Sequence, residues 1–217
     1  MSILCTFLLA ATLGFGRPLA TPRRAPEAPP PLATWKDLCD RPVVWLGQTV
    51  RLQVQFSGRI ETWNPYLTRF GTRQFTAVQA WTDEQFPWIQ AEYDAPAVRV
   101  FLRTGKACDW ALEGAKPCAR FEMTVIVREI FLDLPWVEVV EVCPLAERIS
   151  EGTSIHAGKA MDLITARSYG LAESELQQAI TDDLPAVARA ELERWLRICR
   201  DAIALEKRTN GTPSARK

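Results

Sequence analysis

The chain has 217 residues, 47% of them hydrophobic, and its 26 basic side chains are balanced by 26 acidic ones. That length and apolar content are enough for one sizeable core or two small ones. The lack of a basic excess weighs against a general nucleic-acid binder, which neutralises phosphates with Lys and Arg, and leaves only a local basic patch for such a role.

From Ile3 to Phe15 the chain reads ILCTFLLAATLGF. The run is uncharged, as long as the apolar part of an export signal, and short of the roughly 20 residues that cross a bilayer. Residues 1–20 are read as a signal peptide, so the mature protein is expected to be exported, periplasmic or secreted. The alternative is a segment that stays attached as an anchor or a strand. Residues 21–34 are proline-rich and predict an extended tether, because proline interrupts both helix and sheet ladders.

Residues 35–146 read as β structure. In QTVRLQVQFSG, Gln48–Gly58, the residues Val50, Leu52, Val54 and Phe56 alternate with polar ones, the period of a half-buried strand. FTAVQAW at Phe75–Trp81 is a second run, and AVRVFLR at Ala97–Arg103 a third. ARFEMTVIVREIFL at Ala119–Leu132 is the fourth, with Phe121, Met123, Val125 and Val127 on one face, and WVEVVEV at Trp136–Val142 the fifth. With Gly58 placed to bend the first strand, five strands in this order predict a small closed barrel, free of exposed edges.

"LGQTVRLQVQFSGRI", then "VRVFL", then "RFEMTVIVREIF" and "WVEVVEV" resemble the oligonucleotide/oligosaccharide-binding (OB) fold, particularly its tRNA-anticodon-like and exported bacterial versions, over about Leu46 to Leu145. The resemblance implies a mainly β fold with α structure: a five-stranded OB-like barrel followed by a helical segment. It also implies a protein that binds single strands, sugars or other proteins. Fold likeness does not choose among them.

Cys108 and Cys118 flank the insertion between the third and fourth strands, and in an exported chain they are expected to pair, for about 2–3 kcal/mol. Cys39 and Cys143, just before the first strand and just after the fifth, form a second candidate bridge, with other pairings left open. No Cys-x-x-Cys or Cys-x-x-His pair exists, so neither a metal nor any other cofactor is expected.

Residues 147–207 read as helices. Ser150, Thr153 and Ser154 are candidate N-caps, Ile155, Ala160, Met161, Leu163 and Ile164 the apolar set, and Gly170 the stop. Leu176, Ala179 and Ile180 belong to a second helix. Pro185 opens a third, whose stripe of Ala188, Leu192, Trp195, Leu196, Cys199 and Ile203 requires an apolar partner. Residues 208–217 predict a disordered tail.

The chain has one histidine, His156, read as exposed or capping, and it lacks Gly-x-Ser-x-Gly and a glycine-rich phosphate loop. No enzymatic activity is expected. If Val98, Val100 and Leu102 fill the barrel, then Arg99, Phe101 and Arg103 project outward, a ring between two guanidinium groups able to stack a planar ligand. Gln53 and Gln55 border that face, and Trp63, Tyr66, Trp81 and Trp88 are placed to rim it. The competing expectation is that the C-terminal helices cover Phe101. The favoured reading is a non-enzymatic module that contacts another protein or a cell-envelope component. The alternative is single-stranded nucleic-acid binding through the Arg-Phe-Arg face.

Overall fold

The computed structural model describes residues 28–64, 66 and 68–210. The expected signal peptide, residues 21–27 and residues 211–217 lie outside the described residues. Five strands, β1 (Thr49–Ile60), β2 (Phe75–Thr82), β3 (Val98–Arg103), β4 (Arg120–Phe131) and β5 (Leu134–Pro144), close a barrel in the order β1-β2-β3-β5-β4. All neighbours are antiparallel except β3 and β5, which run parallel. The result is a closed mixed barrel compatible with an OB-like fold.

The alternation in the sequence decides the interior. Val50, Leu52, Val54 and Phe56 of β1 meet Val98, Val100 and Leu102 of β3 and Met123, Val125 and Val127 of β4 in one core. The β1–β2 register shifts between Phe56 and Gly58, where the first strand bends. β4 and β5 are joined by a two-residue turn, Leu132-Asp133, both residues in the left-handed region at φ 50° and 59°. Positive φ at both central positions is the geometry of a type I′ hairpin, here built without glycine.

Both mouths of the barrel are closed. A capping box between Thr34 and Asp37 starts α1 (Trp35–Asp40), which drives Trp35 and Leu38 into the core at the end where β1 and β5 begin. The short α2 (Pro42–Trp45) follows. At the opposite end, between β3 and β4, α4 (Ala107–Ala111) and the turn after it bring Cys108 and Leu112 onto the same core.

The proline-rich stretch is not a free tether to its end. Arg51 donates from its backbone nitrogen to the Pro31 carbonyl at 2.8 Å and from Nε to that of Pro30 at 2.9 Å, while the Ala33 nitrogen donates to the Arg51 carbonyl at 2.9 Å. The reason is local: β2 begins to pair with β1 only at Val54, so the opposite edge of Arg51 is open until residues 31–33 cover it.

The helices gather into a second core. Ser150 caps α5 (Glu151–Thr165), its hydroxyl accepting from the Thr153 nitrogen at 3.0 Å. The helix ends at Thr165 with Ala166 as its C-cap, and the left-handed turn after it is taken by Arg167 at φ 58°, so Gly170 is not the stop; it lies inside α6 (Tyr169–Ala179). Thr153, Ala157 and Ala160 are the buried positions of α5, while Ile155 is exposed. In α7 (Ala186–Asn210), Ala188, Leu192, Leu196 and Cys199 pack with Ala172, Leu176 and Ile149. The barrel unit contributes Trp88 to this cluster, with Phe86 and Cys118 at its edge. A polar joint reinforces the contact. Arg120 donates to Asp83 at 3.0 Å, to Glu147 of the segment leading to α5 at 2.9 Å, and to Gln53 at 2.8 Å.

The expected disulfides do not form; the five described cysteines are free thiols. Cys108 packs on the barrel core whereas Cys118 packs on the helical cluster, so the two thiols serve different interiors. Cys39 rides on α1 at the end where β5 starts, while Cys143 is near the far end of that strand, roughly 30 Å of extended chain away. Burial pushes the thiols of Cys39, Cys108, Cys118 and Cys199 up, so none is an activated nucleophile.

Candidate functional site

On the outer face of β2, β3 and β5 the ladder aligns Ala77 with Phe101 and Glu138, Phe75 with Arg103, and Gln79 with Arg99. The three β3 side chains point out of the barrel, as the alternation predicts, but they meet different surroundings. Arg99 and Arg103 are exposed and Phe101 is fully buried.

What covers Phe101 is the loop between β1 and β2, not the C-terminal helices. Phe70 of that loop lies parallel to Phe101 at 4.3 Å between ring centroids, and Trp136 of β5 lies parallel to it at 5.1 Å. Trp63 meets its edge at 5.7 Å and ties itself to the loop by donating to the Phe70 carbonyl at 2.7 Å. The loop is pinned from the β4 side, where Glu129 accepts from Thr68 Oγ1 at 2.8 Å and from Arg69 Nε at 2.7 Å. Burial pushes the Glu129 carboxyl up, but Arg69 and Thr68 outweigh it and hold the group below its ordinary value.

The two arginines also differ. Arg103 lies over the Phe75 ring at 5.2 Å and donates to Glu138 at 2.7 Å; Arg128, the extra residue of a bulge in β4, donates to the other oxygen of Glu138 at the same distance. The buried Glu138 is therefore fully engaged between two guanidinium groups. Arg99 has no hydrogen-bond or ion-pair partner among the described residues. Its side chain borders a cleft of about 160 Å³ whose other walls include Gln79, Phe101, Pro135, Trp136 and Trp35.

The remaining residues expected at this face are elsewhere or covered. Trp81 continues the outward row of β2 beyond Gln79, but its ring lies under Tyr93 at 5.3 Å and its Nε1 donates to the carbonyls of Glu92 and Tyr93. Gln53 belongs to the Arg120 joint, and Gln55 is buried between Trp81 and Arg120 in the ladder with no partner for its amide. Trp63 is absorbed in the aromatic cluster, Trp88 in the helical core, and Tyr66 is exposed on the loop.

Of the residues around this cleft, the sequence reading names Arg99 and Phe101 as candidates but not Trp136, Pro135 or Trp35. Their signal was weak. The fifth run in the sequence starts at Trp136, whereas β5 begins at Leu134 and carries Pro135 in register with Ile130.

No arrangement of catalytic groups appears around the cleft. His156 is not a free capping group; its Nδ1 lies 2.7 Å from Glu175 of α6, joining two helices. Among the described residues no group of three His, Cys, Asp or Glu side chains is placed to hold a metal ion, and no helix is long and apolar enough to cross a membrane. No family model, no curated protein and no solved structure matches the chain.

Proposed function

We propose that this chain is an exported, OB-like binding module, without catalytic activity, that recognises a protein of the cell envelope through the outer face of β2, β3 and β5. One observation carries the reading: an unpaired, exposed arginine beside a cleft walled by Trp136, Pro135, Phe101 and Trp35. Tryptophan and arginine dominate the anchors of protein interfaces. The size of the cleft, about 160 Å³, favours a protein side chain over a small molecule, since sites for small molecules hold about 300–1,000 Å³. It accommodates one side chain of a partner, with Arg99 free to meet a carboxylate beside it. Export rests on the apolar run Ile3–Phe15.

Nucleic-acid binding is the weaker reading because the ring meant to stack a base is already covered by Phe70 and Trp136. A photoreactive amino acid at Gln79, used in envelope fractions of the native cell, separates the two. The expected result is one dominant protein adduct that disappears in Arg99→Glu. Failure to form such an adduct, together with salt-sensitive binding of a labelled oligothymidylate that requires Arg99, would transfer the function to single strands.

A further inference from the structure

A second and larger cleft, of about 480 Å³, lies where the barrel meets the helices. This volume is in the range of small-molecule sites, and junctions between packed units are where such sites concentrate. One wall is the segment before β4, Lys116 to Ala119; the opposite wall is Arg148, Ile149 and the start of α5, with Tyr93 beside them. The lining is divided by chemistry. Pro117, Ala119 and the ring of Tyr93 supply an apolar surface. The Lys116 side chain has no partner among the described residues, and the Arg148 side chain is held only loosely, 3.6 Å from the Asp183 carboxylate. Against these two cations stands one lining carboxylate, Glu151.

We propose that this cleft binds a small organic anion with a flat apolar body, its acid group between Lys116 and Arg148 and its body against Tyr93 and Pro117. Anilinonaphthalene sulfonate, an aromatic sulfonate, is a suitable probe for the intact protein. Fluorescence titration is expected to show saturable binding at one site, weakened at least about tenfold in Lys116→Glu/Arg148→Glu, a loss of 1.4 kcal/mol or more. Arg197→Glu on α7, away from the cleft, is expected to leave it unchanged. The bound probe is also expected to slow alkylation of Cys118, which lines the cleft, but not of Cys143, which is exposed. If the double variant melts well below the parent, this protection is measured on the parent alone. Unsaturable fluorescence, equal affinity in a folded double variant, or no protection of Cys118 would each overturn the proposal. Competition by inorganic phosphate as strong as by benzoate would show that charge alone is read and would overturn the role given to the apolar wall.

Discussion

Single side chains carry the two surfaces, and their partners can be tested one at a time. Glu129 holds the loop over Phe101 through Thr68 and Arg69, so Glu129→Gln removes charge-assisted bonds worth about 1.5–3 kcal/mol. Trypsin is expected to cut at Arg69 and Arg73 about tenfold faster or more in that variant, because cleavage samples the opened loop. Asp109 offers a pH test. Burial pushes its carboxyl up, but the Gly105 N–H at 2.9 Å and Arg59 at 2.7 Å outweigh it and hold the group below its ordinary 3.8. A carboxyl depressed in the folded state contributes stability above its unfolded value and loses it as pH falls through the folded one. Urea unfolding is therefore expected to show Asp109→Asn about 1–3 kcal/mol less stable at pH 7, the gap closing as pH drops below 3.8. At this scale the sequence was informative about direction and silent about cover. Alternation shows that Phe101 leaves the barrel; that Phe70 lies on it depends on a loop folding back across the face, which no local period encodes. Gln55 shows the same limit, since an outward glutamine reads as exposed until the junction buries it.

Among the elements, the five strands were legible because each buries alternate residues in a common interior, and α6 and α7 because their apolar spacing falls on the buried face, whereas α5 was marked by its Ser150 cap. Short elements were not. α1, α2, α3 (Gln90–Tyr93) and α4 have four to six residues each, too few for a 3.6-residue period to emerge. The β4–β5 turn was hidden for another reason: Leu132-Asp133 has none of the Asn-Gly chemistry by which such turns are recognised. Each of these residues is in a left-handed conformation that costs an ordinary L residue roughly 1–2 kcal/mol. Leu132→Asn with Asp133→Gly is expected to stabilise the protein by about 1 kcal/mol, a rise in melting temperature of roughly 2–4 °C. A fall in melting temperature would mean that exposed Leu132 makes a contribution the turn geometry does not explain.

For the whole molecule, the order of units was readable, barrel then helices, but not the way they hold together. The joint consists of Trp88 in the helical core and of Arg120 gripping Asp83 and Glu147. Arg120→Ala is expected to cost about 2 kcal/mol, less than a fully buried pair because Glu147 is well exposed and rehydrates. The more telling readout is cooperativity. Helical circular dichroism and near-ultraviolet tryptophan signals should unfold together in the parent and separate in the variant. Coincident transitions in both would leave the linkage to Trp88 and its neighbours.

The stoppered cylinder has a kinetic corollary. With α1 and α4 seated in its two mouths and valines filling the space between them, water is kept from the barrel interior, and its ladder hydrogen bonds break together only when the barrel opens. Its amide protons should therefore be the last in the chain to exchange with deuterated solvent, retained long after those of the β1–β2 loop and the final turns of α7 have gone.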